Sequence, residues 1–189
     1  MNEIHEGNCI EIMSNMEDCS IDLTVTSPPY DNLRNYDGYD FNFEGIANEL
    51  FRITKEGGVV VWVVGDATID GSETGTSFRQ ALYFIDIGFN LHDTMIYHKN
   101  NAPPIGGKNR YYQSFEYMFV LSKGKPKTFN PLTRQRRNKW KDKRTTRYRS
   151  VTRNKDGKFT KKQVPINEIV KRQNIWKYMV GGGISTMDK

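Results

Sequence analysis

The chain has 189 residues, two cysteines and a formal net charge of +6, enough length for one domain with a real core and too few cysteines for a disulfide framework. Glu3, Glu6 and Glu11 stand where an export signal would be basic, and no apolar run reaches membrane-spanning length, so neither a leader nor a spanning segment is indicated and a reduced cytoplasmic setting is expected. His5, His92 and His98 have no metal-ligand spacing with Cys9 and Cys19, and no metal site is expected.

Taken in chain order, residues 2–6 read as a strand and Cys9 to Met16 as an amphipathic helix. Ile21 to Thr26 is a short β-branched run that the two following prolines terminate. Asp31 to Asp40, rich in Asn, Gly and Tyr, reads as a mobile loop. Residues 43–54 show apolar positions at helical spacing, with Gly57-Gly58 expected to end the helix. Val59 to Val64 is a nearly continuous apolar run, expected to be a central strand covered on both faces. Residues 69–76 lack the glycine spacing and lysine of a nucleotide loop and read as a flexible loop. Phe78 to Asp86 should be a helix packing Phe78, Ala81, Leu82 and Ile85 on one face. Leu91 to Lys99 and Phe115 to Leu121 then form two strands, antiparallel to each other, around a loop at 100–110.

The sequence Thr26-Ser27-Pro28-Pro29-Tyr30 carries the chemistry. Each proline fixes its own φ and pushes the preceding residue to extended geometry, so Ser27 to Tyr30 should project stiffly from the carboxyl end of a strand, where open α/β sheets bind ligands. A hydroxyl at Ser27 and the Pro28 carbonyl can both accept hydrogen bonds from an exocyclic amine, drawing it toward tetrahedral geometry as positive charge develops. No strong base is then needed. Were that amine on a base of a duplex, the base would have to be extruded to be reached, and the ring of Tyr30 can stack on it. An ordinary loop with two prolines is the bland alternative.

The opening Ile4-His5-Glu6-Gly7-Asn8-Cys9, then Ser20-Ile21-Asp22-Leu23 running into the S-P-P-Y tetrapeptide, and Glu116-Tyr117 with its apolar run resemble the permuted (β-type) family of DNA amino-methyltransferases over residues 2 to about 125. The resemblance implies an α/β fold, an incomplete Rossmann-like methyltransferase sheet with strands equivalent to 3, 4, 5, 6 and 7 and a basic target-recognition insertion. It also implies S-adenosylmethionine as cofactor, bound by Asn8, Cys9 and Ser27, with Ser27, Pro28, Pro29 and Tyr30 catalytic. Asn8 stands where the family commonly has Asp, and its amide oxygen can still accept a hydrogen bond.

Between Lys123 and Lys162 the chain carries a charge of +15, leaving −9 for the remainder. Such a block, with Phe129, Trp140, Tyr148 and Phe159 interspersed, is the footprint of phosphate binding, a solvated basic segment being the alternative. Arg134, Arg136, Arg137, Lys139, Lys141, Lys143, Arg144, Arg147 and Arg149 are the expected contacts to double-stranded DNA. Phosphate contacts position a protein without reading sequence.

The implied layout is a catalytic half at 1–125, a basic recognition region at 126–180 and a glycine linker at 181–189. The family's F-x-G-x-G cofactor strand has no match here, so a separate polypeptide is expected to supply that half and the isolated chain to have weak activity or none. The function implied is methyl transfer to the exocyclic amine of an extruded base, cytosine N4 favoured over adenine N6 because Ser leads the tetrapeptide. The alternative is a non-catalytic nucleic-acid-binding remnant or one subunit of a split enzyme.

Overall fold

A computed structural model describes residues 2–29, 41–102, 109–135, 146–153, 155–165 and 169–178. They fall into two compact units, Met1–Phe129 with Asn174–Lys189, and Asn130–Gln173.

The first unit is built on a five-stranded sheet in the order β1-β2-β6-β5-β11, from β1 (Ile21–Thr26), β2 (Thr54–Val64), β5 (Asn90–Lys99), β6 (Phe115–Ser122) and β11 (Ile175–Tyr178). Strands β1 and β2 are parallel, β6 runs antiparallel to both β2 and β5, and β11 is parallel to β5. The carboxyl ends of β1, β2 and β5 therefore share one rim with the start of β6. A two-residue hairpin, β3 (Thr68–Ile69) and β4 (Ser72–Glu73), follows β2 on that rim.

Among the described residues, three helices supply the other layer: α1 (Cys9–Ser14), α2 (Phe43–Ile53) and α3 (Thr76–Asp86). Met13, Ile46, Ala47, Leu50, Ile53, Ala81 and Phe84 pack against Val60, Trp62, Val64, Phe119 and Leu121, which alternate along β2 and β6 and so lie on one face. Arg52 ties the layer together, donating to the carbonyls of Met13 (2.6 Å) and Met16 (2.8 Å) and to the carboxylates of Glu49 (2.7 Å) and Asp18.

Several expectations shift. Residues 2–7 form no strand, and Ile4 is exposed, because no described strand runs beside them to complete a ladder. Helix α2 does not run on to Gly57. The Thr54 hydroxyl and N–H both bond the Leu50 carbonyl, and Thr54 itself opens β2 opposite Ile21. Helix α3 is rotated from its expected face. Ser77, Gln80, Ala81 and Phe84 are buried, while Phe78, Leu82 and Ile85 are exposed. Gln80 faces inward because its Oε1 accepts the buried Trp62 Nε1–H at 2.9 Å. Gly88, at φ +116°, turns the chain into β5 under the ring of Phe51, which a Cβ would meet at 2.8 Å.

The largest departure concerns β2. Its alternate residues Val59, Val61 and Val63 are only half-buried, as are Met118 and Val120 of β6, and Leu23 and Val25 of β1 are 59% and 65% exposed. All the buried apolar residues of the sheet lie on the opposite face. Within this unit, the described helices cover one face of the sheet and leave the other, equally apolar, without a layer.

Among its described residues the second unit contains two antiparallel pairs, β7 (Thr133–Gln135) with β10 (Ile169–Lys171) and β8 (Thr146–Arg153) with β9 (Phe159–Pro165). The basic region is thus built in part on paired strands.

Candidate functional site

The first strand ends at Thr26, paired with Trp62. Ser27 follows at the carboxyl end of β1, on the rim where β2 ends at Val64, whose partner on β6 is Tyr117. Ser27 is exposed, and Pro28 and Pro29 are half-buried. Tyr30 lies outside the described residues.

Asp66, two residues past β2, anchors the rim. Its Oδ1 accepts the Ser77 N–H at 2.8 Å and the Thr74 hydroxyl at 3.4 Å, and its Oδ2 accepts the Ser77 hydroxyl at 2.5 Å. Helix α3 begins after Gly75, which has a left-handed backbone and no side chain to cap with. Asp66 therefore caps α3 from the segment after β2, satisfying the first-turn Ser77 N–H and setting a carboxylate at the positive end of the helix dipole. Burial, then the charges of Asp66 and Glu73, push the Tyr117 phenol above its ordinary pKa. Neighbouring carboxylates favour its neutral form.

Arg110 closes the same rim from the loop before β6. It donates to the Thr68 hydroxyl at 3.2 Å and to the Gly71 carbonyl, and its Nη1 lies 3.7 Å from Glu73 Oε1. Neither Ser77 nor Arg110 was singled out by the sequence, which read 69–76 as a flexible loop. A hydroxyl just after Gly75, at the start of an apolar helical pattern, was the available signal.

The remaining expected residues fall in three places. Asn8 and Cys9 are exposed at the start of α1, and Asn8 Oδ1 accepts the Ile10 N–H at 2.9 Å as an N-cap. Arg134 is exposed on β7, and Arg147 and Arg149 lie on β8. Arg136, Arg137, Lys139, Lys141, Lys143 and Arg144 lie outside the described residues. Among the described residues no cluster of His, Cys, Asp and Glu could hold a metal ion, and no helix is long and apolar enough to cross a membrane.

Comparison with known proteins gives a consistent set of relatives. The N6_N4_Mtase family, described as DNA methylase, matches residues 21–179. The orphan methyltransferase M.BamHII of Bacillus amyloliquefaciens is 59% identical over 93% of this chain and 66% of its own length. The type II methyltransferase M.SfiI of Streptomyces fimbriatus is 26% identical over 67% of this chain and 37% of its own. Among solved structures, the PvuII DNA methyltransferase (cytosine-N4-specific) superposes with a TM-score of 0.55 at 23% identity, over 64% of this chain and 49% of that one, a likeness of fold. The chain spans less than two thirds of the length of these relatives.

Proposed function

This chain belongs to the DNA methylase family, and from that membership we propose that it forms the methyl-accepting edge and the DNA-contacting region of an S-adenosylmethionine-dependent amino-methyltransferase, acting on an extruded base with cytosine N4 favoured over adenine N6. The observation that carries the reading is the placement of Ser27-Pro28-Pro29 at the carboxyl end of a parallel strand, on a rim braced by Asp66 and Arg110.

The chain's own groups account for the acceptor side. The Ser27 hydroxyl and the Pro28 carbonyl accept the amine's N–H bonds, and the paired prolines hold both acceptors in one geometry, so little reorganisation is needed as charge develops. Tyr30 stacks on the extruded base. The basic residues from Arg134 to Arg149 bind phosphate and orient the duplex.

The residues fit a cofactor that is both polar and cationic: Asn8, Cys9 and Ser27 are exposed, and a side-chain amide, a thiol and a hydroxyl suit an adenosine and an amino-acid terminus. S-adenosylmethionine, when bound, supplies the methyl sulfonium. The chain's part is to hold it beside Ser27 and to keep the amine aligned. A cytoplasmic location follows from that cofactor and substrate.

A second polypeptide segment completing the sheet is part of this proposal. Among the described residues no strand pairs with the outer edge of β1 and no helix covers the apolar face that meets it at Leu23 and Val25. Crossovers between parallel strands are right-handed. Helix α2 joins β1 to β2 on the covered face, so parallel strands laid on the free edge of β1 would place their helices on the other, uncovered face. Exposed edges and apolar faces of this kind favour association.

The test is methyl transfer from labelled S-adenosylmethionine to unmethylated genomic DNA, with and without the third of the M.BamHII relative that lies outside the match. Label in DNA that requires Ser27 and appears as N4-methylcytosine is the expected result. N6-methyladenine would reverse the choice of base. Absence of label under both conditions, with duplex binding intact, would favour the non-catalytic DNA-binding alternative.

A further inference from the structure

Beyond Arg110, the rim carries a stretch that has no part in the methyl-transfer reading. Residues 110–115 cross from the β3–β4 hairpin to the start of β6, and both ends of this span are fixed. At one end Arg110 is bound to Thr68, Gly71 and Glu73. At the other, the Ser114 carbonyl accepts the Lys99 N–H at 2.7 Å, and the Phe115 ring packs edge-on to Tyr117 at 5.3 Å. Between them Tyr111 and Tyr112 are 98% and 63% exposed.

Aromatic rings ordinarily bury most of their area. Two adjacent phenols held in solvent on a braced span are preorganised for a contact outside the protein. Their position selects the contact, since the span sits on the rim that also carries Ser27-Pro28, where the duplex must come to deliver a base. We propose that Tyr111, with Tyr112 beside it, is a stacking wedge that enters the DNA duplex at the gap left by the extruded base, and that Arg110 is the positioning residue that braces it. The wedge rests on the extrusion of a base, and so on the function proposed above.

Extrusion removes the stacking of the two flanking base pairs, and an inserted ring restores part of it. A neutral phenol suits this place because stacking on bases is tolerant of sequence. Arg110 takes no part in the stack, its guanidinium being engaged by the hairpin.

The experiment measures the affinity of the full chain for labelled duplexes that are fully paired, contain one abasic position, or contain one mispair, each across a range of salt. Wild type is expected to bind the abasic duplex about fivefold or more tightly than the paired one, the scale of one stacking contact. Tyr111→Ala should abolish that preference and leave the paired-duplex affinity and salt slope unchanged within about twofold, because phosphate contacts set both. Tyr111→Phe should keep the preference. Arg110→Ala should weaken it with both tyrosines present. The wedge is overturned if wild type shows no preference for the abasic duplex, or if the preference survives the joint replacement of Tyr111 and Tyr112 by Ala. It is also overturned if Tyr111→Ala flattens the salt slope, which marks a phosphate contact, or weakens only the mispaired complex, which marks a ring holding the extruded base. Absence of methyl transfer both with and without the added third of the relative, while the abasic preference stays intact, would sink the transfer step alone and leave the extrusion of a base, on which the wedge rests.

Discussion

Asp66 shows how one side chain can organise a rim without meeting the substrate. Both of its oxygens are spent on Ser77 and Thr74, so its contribution is to fix where α3 begins and, through the hairpin that precedes that helix, where Arg110 can bind. Replacing a capping carboxylate typically costs about 1–2 kcal/mol, and leaving buried partners unsatisfied raises this toward 3. Asp66→Ala is therefore expected to lower the thermal midpoint by several degrees, and Asp66→Asn by less, since an amide oxygen still accepts from the Ser77 N–H. Calorimetry of the three proteins checks the order. An Asp66→Ala protein as stable as wild type would mean that α3 needs no cap from Asp66.

Helix α3 is the element for which pattern and structure disagree most usefully. Phe78, Ala81, Leu82 and Ile85 match helical spacing as well as Ser77, Gln80, Ala81 and Phe84 do, and the apolar set was the natural one to bury. The fold buries the second set, because Asp66 draws Ser77 inward and the Trp62 indole N–H needs the Gln80 oxygen. A buried donor left unpaired costs more than an exposed leucine does. Phe84→Ala should accordingly destabilise by about 3–5 kcal/mol, and Leu82→Ala by about 0.5 kcal/mol or less. Urea unfolding distinguishes the two orientations, since the reverse ranking would restore the face expected from spacing.

For the molecule as a whole, charge and structure divide at nearly the same place. The unit Asn130–Gln173 contains most of the basic block, and the five-stranded sheet and its described helices lie in the other unit. Replacing residues 130–173 by a short flexible linker is expected to leave the unfolding of the main unit within a few degrees of wild type. The same change should abolish most duplex affinity and its salt dependence, because each neutralised phosphate contributes about one to the salt slope. Retained affinity would move the DNA contact to the sheet unit. Much of this organisation was legible in the residues themselves. The β-branched run at 21–26, the prolines after it, the helix over 43–53 and the charge boundary are local, since they follow from backbone propensity, ring closure and composition, which each segment carries with it. The tertiary structure alone decided which face of β2 is covered, which face of α3 is buried, and that residues 2–6 stay unpaired, because burial and ladder pairing depend on what stands beside a segment and no segment encodes its neighbours.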